Sequence, residues 1–183
     1  MKPLTNIAEV QEAGEGLRLP AGGYVCRYTK VNDVPEKEYL YMEFDIAEGT
    51  YRGYYADLEA RAGFWGGHCY RSYKPNAQPM FKRMCSAVTK SNPGFIFDGN
   101  QYCDERTLEG KLVGMILGEE EYIGNDGSVK TRLNVIRECE VAKIREGKFK
   151  VPELKKLNNE TVSSGTPDFM KVDDSKGEET PFN

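Results

Sequence analysis

Between Ala60 and Phe97 the sequence has no Asp or Glu, yet it carries six cations: Arg61, Arg71, Lys74, Lys82, Arg83 and Lys90. The same stretch holds Phe64, Trp65, His68, Tyr70, Tyr73, Phe81, Phe95 and Phe97. Cations neutralise phosphates and flat rings stack on bases, each stacked base being worth about 1–3 kcal/mol by substitution. Trp65, Tyr70, Arg71, Tyr73 and Lys74 bring both parts within ten residues, and Lys82, Arg83 and Lys90 extend the basic run. Such a stretch suits holding a single nucleic-acid strand without reading its sequence. Core packing competes for the same rings. Cys69, Arg71 and Tyr73 alternate with Tyr70 and Ser72, and Cys69 could make its own face the buried one.

A second aromatic group begins at Tyr39-Leu40-Tyr41-Met42-Glu43-Phe44. Leu40, Met42 and Phe44 share one face and are expected in the core, which turns Tyr39 and Tyr41 outward; Lys30 and Arg52 are candidates to join them.

Catalytic chemistry has little to work with. His68 is the one histidine, no nucleophile-elbow pattern occurs, and Gly63-Phe64-Trp65-Gly66-Gly67 lacks the Lys-Ser/Thr of a phosphate loop. Glu119-Glu120-Glu121 reads as a solvated edge rather than a carboxylate cluster for two metal ions. Five irregularly spaced cysteines (Cys26, Cys69, Cys85, Cys103, Cys139) form no Cys-x-x-Cys pair, so neither a zinc site nor a disulfide framework is expected. No enzyme activity, metal or cofactor is expected.

The elements that must position these residues read as mainly strand. Gly23–Val31 alternates and is broken by Asn32-Asp33-Val34-Pro35; Tyr39–Ile46 is a second strand; Tyr51–Tyr55 starts a third that resumes at Cys69–Tyr73 after glycine bends. The period then changes. Met80, Phe81, Met84, Cys85 and Val88 form a helical stripe over Ala77–Lys90, with Pro79 in its first turn and Asn92-Pro93-Gly94 at its end. Gly110–Leu117 and Val129–Val141 are two further strands, with a turn signal at Asn125-Asp126-Gly127. Three strands, a helix and two strands is the element order of the five-stranded OB barrel, whose helix lies between strands three and four. Residues 7–15 fit either a short helix or an arm.

Charge divides the chain at residue 157. The 29 acids and 25 bases include six acids and two bases in residues 158–183, so residues 1–157 carry 23 of each. The sequence thus predicts a neutral domain, 1–157, and a disordered acidic tail, 158–183. The tail holds Asp173, Asp174, Glu178, Glu179, Pro181 and Phe182; an exposed ring among acids can anchor in an apolar pocket with a basic rim on a partner protein. No apolar run is long enough to span a bilayer and no signal-peptide core is present, so a soluble, cytoplasmic protein with no membrane partner is expected. Self-association into a homo-oligomer is left open.

The tail resembles the acidic Pro-Phe tip of bacterial and phage single-stranded DNA-binding proteins, with Asn183 following the Phe and with Lys176 and Gly177 diluting the acids. LPAGGYVCRYTKVNDVPEKEYLYMEFDIAEG, SNPGF and LEGKLVGMILGEEEY followed by FKVPELKKL resemble a family encoded in phages and prophages of Gram-positive bacteria. That resemblance spans residues 19–157. It implies a protein that coats single-stranded DNA in the bacterial host cytoplasm and recruits replication or recombination proteins through its tail. The other reading is a non-catalytic protein-interaction or assembly module with a barrel fold and no DNA binding.

Overall fold

The computed structural model describes residues 18–100 and 103–157, and the expectations for residues 7–15 and for the tail 158–183 lie outside them. The described chain is mainly β. Strands β1 (Gly22–Val34), β2 (Tyr39–Ile46), β3 (His68–Ser72), β4 (Leu112–Ile123) and β5 (Val129–Cys139) form one antiparallel sheet in the order β3-β2-β1-β4-β5. Helix α1 (Tyr54–Ala62) follows β2, α2 (Gln78–Ser91) lies between β3 and β4, and the short α3 (Val141–Arg145) follows β5.

Strict alternation builds β2. Leu40, Met42, Phe44 and Ile46 are buried, while Tyr39, Tyr41, Glu43 and Asp45 face out. Strand β1 runs three residues further than its sequence suggests, with Asn32, Asp33 and Val34 paired to Tyr41, Leu40 and Tyr39, and a bulge between Tyr28 and Lys30 shifts its register against β2. The extra residue lets Tyr28 and Val31, three apart, both face the core, which a plain two-residue period forbids.

The expected start of a third strand at Tyr51–Tyr55 is instead the approach to α1. Tyr51, Tyr54, Tyr55 and Leu58 recur at helical spacing and pack on the core, and Tyr55 meets Phe44 edge-on at 5.4 Å. Asp45 at the end of β2 supplies what the helix start lacks. Its Oδ1 accepts from the Tyr55 backbone N–H at 2.9 Å and its Oδ2 from that of Ala56 at 3.3 Å. Gly53 and Gly63, at φ 77° and 73°, bound the helix in left-handed backbone that other residues adopt at a cost. β3 is therefore shorter than expected and begins at His68.

Helix α2 follows its stripe, burying Met84, Cys85, Ala87 and Val88, although Met80 is exposed. Asn92 locks its end to β4: Nδ2 donates to the carbonyls of Val88 (2.7 Å) and Leu112 (2.8 Å), and Oδ1 accepts from the Leu112 N–H at 3.0 Å.

The chain after β5 covers the outer face of β4 and the start of β1. Three glycines make room: a Cβ at Gly23 would lie 2.7 Å from the Phe149 ring, at Gly114 2.7 Å from Ile144 Cγ1, and at Gly118 2.8 Å from Pro152 Cγ. Lys155 then joins β4 beyond the reach of β1, exchanging backbone hydrogen bonds with Glu119 and Glu121. The Glu119–Glu121 run is thus engaged rather than a solvated edge. Glu120 is bonded to Lys155 (2.9 Å) and Asn134, and Glu121 accepts from the Leu157 N–H at 3.0 Å.

The sheet's two edge strands meet through a side chain. Arg71 on β3 points inward, donating to Glu138 of β5 at 2.5 Å and to the Val135 carbonyl at 3.4 Å. No described helix is long and apolar enough to cross a membrane.

Candidate nucleic-acid interface

The outer face of β1, β2 and β3 carries the rings. Tyr39 and Tyr41 project from β2 and His68 and Tyr70 from β3, because their odd or even partners in each strand are drawn into the core. Antiparallel register sets Tyr41 opposite Tyr70. Ring centroids lie 5.3 Å apart for Tyr39–Tyr70, 5.4 Å for Tyr41–Tyr70, and 5.8 Å for both Tyr41–His68 and His68–Tyr70. These four rings form one cluster, and Tyr70 at 52% exposure presents most of its surface to solvent. Neighbouring β1 adds Arg27 opposite Asp45 and Lys30 opposite Glu43.

The two carboxylates on this face are already engaged. Asp45 holds the start of α1, and Glu43 Oε1 accepts from the Tyr41 hydroxyl at 3.1 Å. Desolvation, with that hydrogen bond second, pushes the Tyr41 phenol up to about 12, so it stays neutral across ordinary pH. A face of neutral rings with balanced charge suits stacking more than salt-bridging.

The expected site residues fall into three groups. Tyr39, Tyr41 and Lys30 lie on this face as the alternation of β2 implies. Arg52 is exposed in the turn ahead of α1. The others are placed elsewhere. Arg71 is 7% exposed and held by Glu138, so the Cys69 face is the inner one. Trp65 is half-buried, donates from Nε1 to the Gly67 carbonyl at 2.8 Å and lies 6.4 Å from the Tyr55 ring. Tyr73 is half-buried at the end of β3, with its hydroxyl donating to Asp33 at 2.9 Å and its ring 6.0 Å from Phe81. Lys74 is half-buried beyond β3. Lys82 and Arg83 are exposed on α2, and Lys90 near its end pairs with Glu140 at 3.0 Å.

His68 was not among the expected contacts, and Tyr70 was expected only as one ring of the basic, aromatic stretch. Their signal was present: both alternate with Cys69, and reading that cysteine as inward turns both rings out. Among the described residues no group of three His, Cys, Asp or Glu side chains is arranged to hold a metal ion. No protein-family model matches this sequence, and a search of curated proteins found no match.

Proposed function

We propose that this chain is a sequence-nonspecific single-stranded DNA-binding protein of the phage and prophage class, with its five strands arranged as an OB-like barrel. The observation that carries this reading is the cluster of Tyr39, Tyr41, His68 and Tyr70 on the outer face of β2 and β3. Strands two and three form the ligand face of OB barrels, and stacking on rings is how a protein binds single strands without base readout. The strand order supports the barrel: joining β3 to β5, the strands bridged by Arg71 and Glu138, would close the sheet with α2 lying between strands three and four. Residues 158–183 would recruit replication or recombination proteins.

Anisotropy of a fluorescent oligo-dT tests it. The full chain should bind, with affinity falling as salt rises at a log–log slope of about −0.7 per phosphate contacted. Tyr70→Ala should weaken binding by about 1–3 kcal/mol, the worth of one stacked base, while leaving the unfolding midpoint near that of the wild type. Absent or salt-independent binding rejects the reading.

A further inference from the structure

The platform accounts for bases but not for phosphates, because Arg27 and Lys30 are offset there by Glu43 and Asp45. The missing positive charge is gathered next door. A cleft of about 510 Å³ opens between α2, β5 and the segment that follows it. Its lining includes Arg83 and Lys90 from α2, Arg137 from β5, Lys143 from α3, and Lys148. Of its two carboxylates, Glu138 is turned inward to Arg71, and Glu140 is shared between Lys90 at 3.0 Å and Lys143 at 3.7 Å. Arg83 and Arg137 make no ion pair among the described residues. Lys148 in turn pairs with Glu146, just outside the lining, at 2.8 Å, so five cations meet two available carboxylates, a local excess of positive charge in a domain whose charges sum to zero.

One buried side chain links the cleft to the platform. Arg71 donates from Nη1 to the Tyr70 carbonyl at 2.7 Å and from Nε to Glu138, the residue after Arg137. Tyr70 points out from β3 while Arg71 points in. Arg137 likewise points out from β5 while Glu138 points in. Tyr70 and Arg137 are thus the outward neighbours of the two members of one buried pair.

We propose that this cleft holds the phosphate backbone of the same single strand whose bases lie on the platform, the strand crossing the seam between β3 and β5. The inference rests on the proposed function, and it adds a second, electrostatic subsite built on α2 and β5. Arginine forks match phosphate oxygens, so Arg83 and Arg137 are its principal contacts, with the three lysines adding point charge.

The experiment compares the full wild-type chain, the exposed-site double variant Arg83→Ala/Arg137→Ala and Tyr70→Ala. Each is titrated with labelled oligo-dT of increasing length at several salt concentrations. The double variant should keep the wild-type unfolding midpoint, should lose about 1.4 from the steepness of the salt slope, or 0.7 for each contact, and should stop gaining affinity at a shorter oligonucleotide. An unchanged slope and length dependence in the double variant, alongside weakened binding by Tyr70→Ala, overturns the cleft and leaves the platform standing. No binding by the wild type, or none lost in Tyr70→Ala, fails the platform reading itself. The double variant is also compared with wild type after removal of residues 158–183. If its effect disappears there, the cleft's occupant is the chain's own acidic segment, and the DNA route is overturned.

Discussion

Arg71 Nε lies 2.5 Å from Glu138 Oε1 and joins the two edge strands of the sheet, β3 and β5, with both side chains almost wholly buried. Taking two charges out of water is costly, and their attraction offsets that cost only while both are present. Arg71 also donates to the carbonyls of Tyr70 and Val135, so its guanidinium is well satisfied. Arg71→Ala or Glu138→Ala alone should therefore destabilise the fold by about 3–5 kcal/mol, because each leaves the other charge buried and unpaired. The double change to Met and Leu should recover most of that loss. Urea unfolding of the four proteins sets the broken pair against its apolar replacement. Two single variants each within about 0.5 kcal/mol of wild type would mean that the pair does not hold the edges together.

This pair also shows where the sequence was legible and where it was not. The strands β1, β2, β4 and β5 and the helix α2 were readable because their apolar periods are clean, as in Leu40, Met42, Phe44 and Ile46. Tyr39 and Tyr41 were placed outward by that same alternation. Arg71 was not placed, because a charge beside aromatic residues suggests a surface, and its partner lies 67 residues away. The helix at Tyr54–Ala62 was hidden for a related reason. Its aromatic residues favour strand locally, and the carboxylate that caps it, Asp45, belongs to the preceding strand. Trp65 and Tyr73 are held by the Gly67 carbonyl and by Asp33, partners that spacing alone does not reveal. The glycines of GKLVGMILG were plain in the sequence, but their use, as seats for Ile144 and Pro152, depends on a segment that follows β5.

Those seats make a prediction with an internal control. A methyl group at Gly114 would lie 2.9 Å from the Cys139 carbonyl oxygen, backbone that the β4–β5 pairing holds in place. Gly114→Ala should cost about 1–3 kcal/mol, as overpacking does. At Gly23 the nearest atoms all belong to the Phe149 ring, 2.7 Å from where the alanine methyl would sit, and that ring is half-buried. Gly23→Ala should destabilise wild type but become neutral or stabilising in a Phe149→Ala background, where removing a strand glycine gains about 0.5–1 kcal/mol. Thermal unfolding of this cycle reads the sign change. Additive effects would show that Phe149 does not rest on Gly23.

The tyrosines predict how stability ends at high pH. Desolvation raises Tyr24 to about 12, with Tyr51 nearby adding to it, and desolvation raises Tyr41 and Tyr73 to about 12, with the hydrogen bonds to Glu43 and Asp33 adding to it. Burial also lifts Tyr28 and Tyr55 above their ordinary value of 10.0. A raised folded-state value means that the folded chain keeps protons the unfolded chain has released. The contribution to stability is therefore complete below pH 10 and is lost as pH rises from about 10 towards 12. Urea midpoints should hold steady up to about pH 9.5 and then fall. Tyrosinate absorbance at 295 nm should show an exposed group of tyrosines ionising first and the remainder ionising with unfolding. Tyr41→Phe should remove one tyrosine from the late group and leave the midpoint less sensitive to pH above 10. If all eleven tyrosines ionised together near pH 10 in the folded chain, these phenols would not be held in their neutral form by the fold.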